Sequence, residues 1–316
     1  MSHQHHHGHD HSHVHTSNKK VLFISFLMIA SFMVVEVIGG ILTNSLALLS
    51  DAGHMLSDAL SLAIALVAFK LAEKATSQAK TFGYKRFEIL AALLNGATLI
   101  LIALYIFYEA IIRFQSPPEV ASFGMLVISF IGLLVNIIVA VYMFKSGDTE
   151  ENLNMRGAFS HVISDMLGSI GAIIAALLII FFGWQWADPL ASVIVALLVL
   201  RSGIGITRSA VHVLMEGTPA SVDLQAVKTE IESLPEVMNL HDIHIWSITS
   251  DYVALNAHIV VADTMTVAES SALLKNIKHK LLHQGIHHVT IQMETAITCS
   301  SHELLCEMKH EDHHHE

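Results

Sequence analysis

The chain has 316 residues, of which 53% are hydrophobic and only 14% charged, and its formal net charge is −11 with 23 histidines counted as neutral. A soluble domain carries about 25% charged residues, so this composition, with a mean hydropathy of +0.56, places much of the chain in lipid. No basic stripe is present to neutralise phosphates, which excludes nucleic acid as a partner. Two cysteines, Cys299 and Cys306, do not make a disulfide framework and read as free cytosolic thiols.

In chain order, residues 1–20 form a histidine-rich arm with His3, His5, His6, His7, His9, His11, His13 and His15. Gly8, Asp10, Ser12 and Val14 interrupt the run, unlike an expression tag. Such a tract gathers metal loosely and cannot build a packed core. Residues 21–216 hold six apolar stretches long enough to cross a bilayer: Val21–Thr43, Leu46–Phe69, Phe87–Ile112, Ala121–Phe144, Ala158–Phe182 and Trp186–Ile206. The first is too long for the apolar region of a signal peptide and lacks a short basic leader. Lys19, Lys20, Lys70, Lys74, Lys80, Lys85, Arg86, Lys145, Arg156 and Arg208 all fall on one side of a six-span arrangement, and the other side holds little beyond Arg113. The positive-inside rule then puts both termini in the cytoplasm.

Beyond Gly217 the apolar runs shorten and alternate. Asp223–Leu234 reads as an amphipathic helix with Asp223 as its cap, Met238–Thr249 and Tyr252–Ala262 as strands, Thr266–Gln284 as a second helix, and His288–Thr295 as a third strand. The tail, 297–316, ends in a second histidine cluster, His310, His313, His314 and His315. The expected fold is therefore six transmembrane helices followed by a small cytoplasmic α+β domain over 217–296.

Ionisable residues inside spans are costly and mark function by default. Span two carries Asp51, His54 and Asp58; span five carries His161 and Asp165. Both contain His-x-x-Ser-Asp, and residues four apart share a helix face. Two such helices facing each other supply two nitrogens and two oxygens, a tetrahedral shell suited to zinc. A divalent cation satisfies all four groups together. Asp51, three residues before His54 and near the same face, is expected to support a ligand from behind, to line an entry path, or to cap its helix at the outer interface. Glu36, well inside span one, is a candidate for a water or proton path. Asn95 and Asn136 read as interhelical hydrogen-bonding groups.

The stretches Thr43 to His54, Thr81 to Glu88, His161 to Gly168 and His241-Asp242-Ile243-His244-Ile245-Trp246 resemble the cation diffusion facilitator family, in its bacterial zinc/cadmium/cobalt resistance (CzcD-type) branch. The resemblance covers about Val21 to Glu294. It implies a ferredoxin-like cytoplasmic domain, a homodimer, metal/proton antiport in the bacterial plasma membrane, and a transport site of His54, Asp58, His161 and Asp165. Zinc is the expected substrate and regulator, with cadmium and cobalt as further substrates. The family pattern also selects His241, His258 and Glu294 as a cytoplasmic metal site at the dimer interface. Gln292 shares the face of Glu294 and stands to complete the shell. His244 and His287 form a weaker second set, and His241 and His244, an odd number apart, cannot face one site on a regular strand. By family analogy, Arg86 pairs with Glu216 as an interlock. The loop Leu71 to Phe82 has no His or Asp, and the loop Lys145 to Arg156 has no histidine run.

Three other readings compete, one of them a channel, which would show flux without proton counterflow. A membrane metalloenzyme is disfavoured because no His-Glu-x-x-His occurs and a closed four-ligand shell leaves no place for water. A membrane metal sensor or buffer would need no repeated intramembrane motif. The expected function is thus a secondary transporter, not an enzyme, in which metal and protons compete for one site.

Overall fold

The computed structural model describes residues 12–72, 77–146, 153–249, 252–296 and Leu304. For residues 12–22, 25, 58, 61, 62, 64–66, 68–72, 143–146 and 153–165 only the backbone is described. Most of the N-terminal arm, the loop at 147–152 and all of the C-terminal tail except Leu304 lie outside the described residues, as does part of the loop Leu71 to Phe82.

The chain divides into two compact units, Met1–Tyr84 with Leu90–Arg208, and Lys85–Ile89 with Ser209–Glu316. The first is built from α1 (Ser12–Thr43), α2 (Leu46–Ala72), α3 (Phe87–Gln115), α4 (Ser122–Ser146), α5 (Leu153–Phe182) and α6 (Ala187–Leu214). Among the described residues, α1, α3, α4 and α6 are long and apolar enough to cross a membrane, and Met166–Phe182 of α5 is a shorter apolar stretch. Large apolar side chains such as Leu42, Phe123 and Phe181 are exposed, as expected for a surface that meets acyl chains and not water.

Small residues set the packing. Ala47 and Leu48 of α2 join Ala172, Ala175 and Ala176 of α5 in one cluster. Ile29 and Phe32 of α1 close on Met55 and Ala59 of α2. α3 and α6 approach backbone to backbone through Gly96 and Gly203: a Cβ added at either would stand 3.0 Å from the other's carbonyl oxygen. Without a hydrophobic drive between helices in lipid, such close approach supplies the van der Waals contact that holds them.

The second unit is α7 (Leu224–Glu232), β1 (Asn239–Thr249), β2 (Tyr252–Val261), α8 (Val267–His283) and β3 (Ile286–Thr295). The sheet order is β1-β2-β3, with β1 antiparallel and β3 parallel to β2. Asp223 caps α7 by accepting from the Gln225 N–H. Thr266 and Glu269 cap α8 reciprocally. Val227, Ile231, Leu273, Ile277 and Leu281 of the helices bury against Leu240, Leu255, Ile259 and Ile286 of the sheet. β3 starts two residues before the His288 expected from the pattern. Gly285, at φ +80°, reverses the chain directly after α8, so Ile286 already pairs with Val253.

β1 is not regular. Its pairing with β2 shifts between His241 and His244, and Asp242 in the shift has φ 50°. Left-handed backbone at a residue with a Cβ costs roughly 1–2 kcal/mol. This bulge re-aims the side chains that follow.

Candidate metal centres

α2 and α5 meet at Asp51. This carboxylate is buried, and its Oδ2 accepts a hydrogen bond from the Ser169 hydroxyl of α5 at 3.3 Å. Gly168 permits the approach, because a Cβ there would stand 2.4 Å from Asp51 Oδ1. Asp51 does not cap α2. The helix starts at Leu46, and the N–H of Leu48 is taken by the Ser45 hydroxyl.

That contact sets the register of the two His/Asp pairs. Consecutive crossings make α2 and α5 antiparallel, and an α-helix rises 1.5 Å per residue. From Asp51 the midpoint of His54 and Asp58 lies about 7.5 Å along α2; from Ser169 the midpoint of His161 and Asp165 lies about 9 Å along α5, in the same direction. The backbone thus places the two pairs at nearly one level. His54 is half-buried, and the side chains of Asp58, His161 and Asp165 lie outside the described residues.

Glu36 is wholly buried on α1 and faces α4 at Gly132, where a Cβ would stand 3.1 Å from its Oε1. Asn95 of α3 donates to the Ser57 hydroxyl of α2 at 3.2 Å. Asn136 is buried on α4.

In the sheet unit one cluster stands out. His241, His258 and Glu294 each offer a ligand atom, all within 4.8 Å of one another. His241 Nε2 is 3.3 Å from Glu294 Oε2, and His258 Nδ1 is 3.0 Å from Glu294 Oε1. Bonds of about 2.0–2.1 Å from zinc to nitrogen or oxygen imply edges of about 3.4 Å in a tetrahedron. Oε2 of Glu294 is buried and makes no hydrogen bond, so the donor set fits a divalent metal that would draw on that lone pair. His241 and His258 face each other directly across the β1–β2 ladder, and Glu294 comes from β3. Gln292 donates its amide N–H to Glu294 Oε1 at 2.9 Å.

Asp242, not singled out from the sequence, joins this cluster. Its Oδ2 lies 3.4 Å from His258 Nε2 and its Oδ1 lies 2.9 Å from His244 Nε2. Asp242 thus stands on the side of the His258 ring away from Glu294, the side from which a carboxylate can orient a metal-ligating imidazole. The signal was present in the odd spacing of His241 and His244, which no regular strand can reconcile. The bulge turns Asp242 toward both rings. His244 and His287 are not brought together within the chain. His244 pairs across from Asn256, whereas His287 stacks on Tyr252 near the start of β3.

Arg86 Nη2 donates to Glu216 Oε1 at 3.1 Å, and both groups are substantially exposed. Glu216 ends α6 at φ 58°, a position where glycine is the usual residue. Gly217 follows because a Cβ there would strike the His212 ring at 2.2 Å.

A family model described as the cation efflux transmembrane domain matches residues 22–215, and one described as the cation efflux protein cytoplasmic domain matches 219–296. The chain is 62% identical over 302 residues to the cadmium, cobalt and zinc/H(+)-K(+) antiporter of Bacillus subtilis, covering 95% of this chain and 97% of the relative. It is 44% identical over 280 residues to the metal cation efflux system protein CzcD of Cupriavidus metallidurans, covering 88% and 87%. It is 41% identical over 296 residues to the zinc transporter ZitB of Escherichia coli, covering 93% of each. With both halves matched in order and relatives aligned over nearly their full length, the chain belongs to the cation diffusion facilitator, or cation efflux, family.

Proposed function

We propose that this membrane protein exports zinc from the cytoplasm in exchange for protons, and accepts cadmium and cobalt, through His54, Asp58, His161 and Asp165. The observation that carries this reading is the Asp51–Ser169 contact, which brings the two His/Asp pairs to one level on adjacent helices. Imidazole binds zinc only when neutral and carboxylate only when ionised, so protons and metal exclude each other from the shell. An unperturbed histidine titrates near pH 6.5, so the exchange runs near neutrality. Helices must rock so that the site opens to one side at a time. The names of the relatives support the metal range, and that of the Bacillus subtilis protein supports proton and potassium as counter-ions.

The protein acts as a homodimer in the plasma membrane with both termini in the cytoplasm; the charge bias of the loops and the match to a cytoplasmic domain support this. Zinc at His241, His258 and Glu294 acts as regulator, with Asp242 and Gln292 orienting the ligands. The Arg86–Glu216 pair restrains the rocking, and the strained backbone of Glu216 supports a role beyond ending a helix. The test is zinc, cadmium and cobalt uptake into inverted vesicles under imposed pH and potassium gradients. Metal uptake should follow an inward-acid gradient and collapse with it. Binding without uptake under every gradient would overturn the reading in favour of a buffer.

A further inference from the structure

Four backbone N–H groups at a helix start have no partner within the helix. At α2 the accounting closes through α6. Asp188 of α6 is wholly buried, and its carboxylate reaches across to the first turn of α2. Oδ2 accepts from the Leu46 N–H at 2.8 Å; Oδ1 accepts from the Ala47 N–H at 3.1 Å and the Ser45 hydroxyl at 2.6 Å. The Ser45 hydroxyl accepts from the Leu48 N–H at 3.2 Å, and the Gly40 carbonyl from the Ser45 N–H at 3.0 Å. Two of the four are thus supplied by a charged group on another helix.

α3 adds the counter-charge. Arg113 Nη1 lies 3.7 Å from Asp188 Oδ2 and donates to the Asn44 carbonyl at 2.7 Å. Its Nη2 donates to the Asn44 side-chain oxygen at 3.1 Å, and its Nε to Glu109 at 3.0 Å. Asn44, at φ 55°, makes the reversal between α1 and α2. Leu46 is wedged among Ile106 and Ala110 of α3 and Ala196 of α6. An anion suits a helix N-terminus, and this one has a cation beside it, so the buried charge is compensated twice.

Resting on the transport reading above, we propose that Asp188 is a positioning residue for transport: it pins the outer end of α2 and thereby sets where His54 and Asp58 present themselves. Both ligands lie downstream of the pin, His54 about 12 Å and Asp58 about 18 Å along the helix axis. A tilt of about 10° about Leu46 moves them by roughly 2 and 3 Å, many times the ±0.2 Å within which metal–ligand distances hold. Loosening the pin degrades the shell without touching any ligand.

The test is Asp188→Asn, which keeps the shape and loses the charge, in the full chain reconstituted in vesicles. Arg113→Gln and the milder Ser45→Ala stand beside it in case Asp188→Asn fails to insert. Expected is a zinc KM raised about tenfold in protein that still inserts and dimerises, and a cadmium-to-zinc ratio shifted toward the larger ion, a change that mere loss of stability would not produce. Ser45→Ala should move both in the same direction by a smaller factor. A parental KM and metal ratio in every inserted variant, beside an inactive Asp58→Ala, overturn the pin alone. Parental transport by Asp58→Ala overturns the four-ligand site and with it the target assigned to Asp188.

Discussion

In the helical unit the ligand candidates lie four residues apart on each of two helices, and the Asp51–Ser169 contact between those helices puts the two pairs at nearly one level. In the sheet unit His241, His258 and Glu294 come from three strands, and Asp242 joins them only because β1 bulges. The first site is a matter of period. The second is a matter of register, including an irregularity that strand alternation does not anticipate. A helical site of this kind can be read in one dimension, whereas a sheet site needs the partner strands.

The largest effect should separate the two sites by function. Asp58→Ala or Asp165→Ala should reduce metal flux in vesicles to background in protein that inserts and dimerises, because each leaves a cation under-compensated in low dielectric. Glu294→Ala should instead keep measurable flux and lose its metal dependence. Equal loss from both would show that the sites do not divide the work.

The next effect sharpens the sheet side. Asp242→Asn should weaken zinc binding at the cytoplasmic cluster by about 10–100-fold, the range for removing a carboxylate behind a metal-ligating histidine. Isothermal titration of the full chain against Asp242→Asn, both in a His54→Ala background, isolates this cluster from the intramembrane one. An unchanged constant would leave Asp242 as a bulge residue only.

A smaller effect concerns Glu216. Glu216→Gly relieves left-handed backbone worth roughly 1 kcal/mol while deleting the partner of Arg86. The variant should unfold at slightly higher temperature yet transport differently from the parent. If stability rises and the transport rate and pH profile stay parental, the pair is a surface contact of little weight.

The smallest effect is acid-dependent. Hydrogen bonds from the Thr266 backbone N–H and hydroxyl hold the Glu269 carboxyl below the ordinary glutamate range. Its folded value lies below its unfolded one, so the cap contributes above the unfolded value and the contribution is lost as pH falls through the folded value. Hydrogen exchange in the first turn of α8 should accelerate in that acid window in the parent. In Glu269→Gln the exchange should already be faster at neutral pH and change less on acidification.

The sequence by itself determined the six long helices, the order of elements in the cytoplasmic domain, and the pairing of His with Asp four residues on. Each depends on apolar length or on a local period, and both are properties of neighbours in the chain. His241, His258 and Glu294 came from family resemblance, and their meeting within 4.8 Å depends on strand pairings more than 15 residues apart. Only the tertiary structure decided that Asp51 reaches across to α5 instead of capping α2, that Asp242 turns inward, and that Asp188 serves a helix other than its own. An acid in the first turn of α6 reads locally as a partner for that helix's own dipole. Its use by α2 follows from how the helices pack, and no period within either helix encodes it.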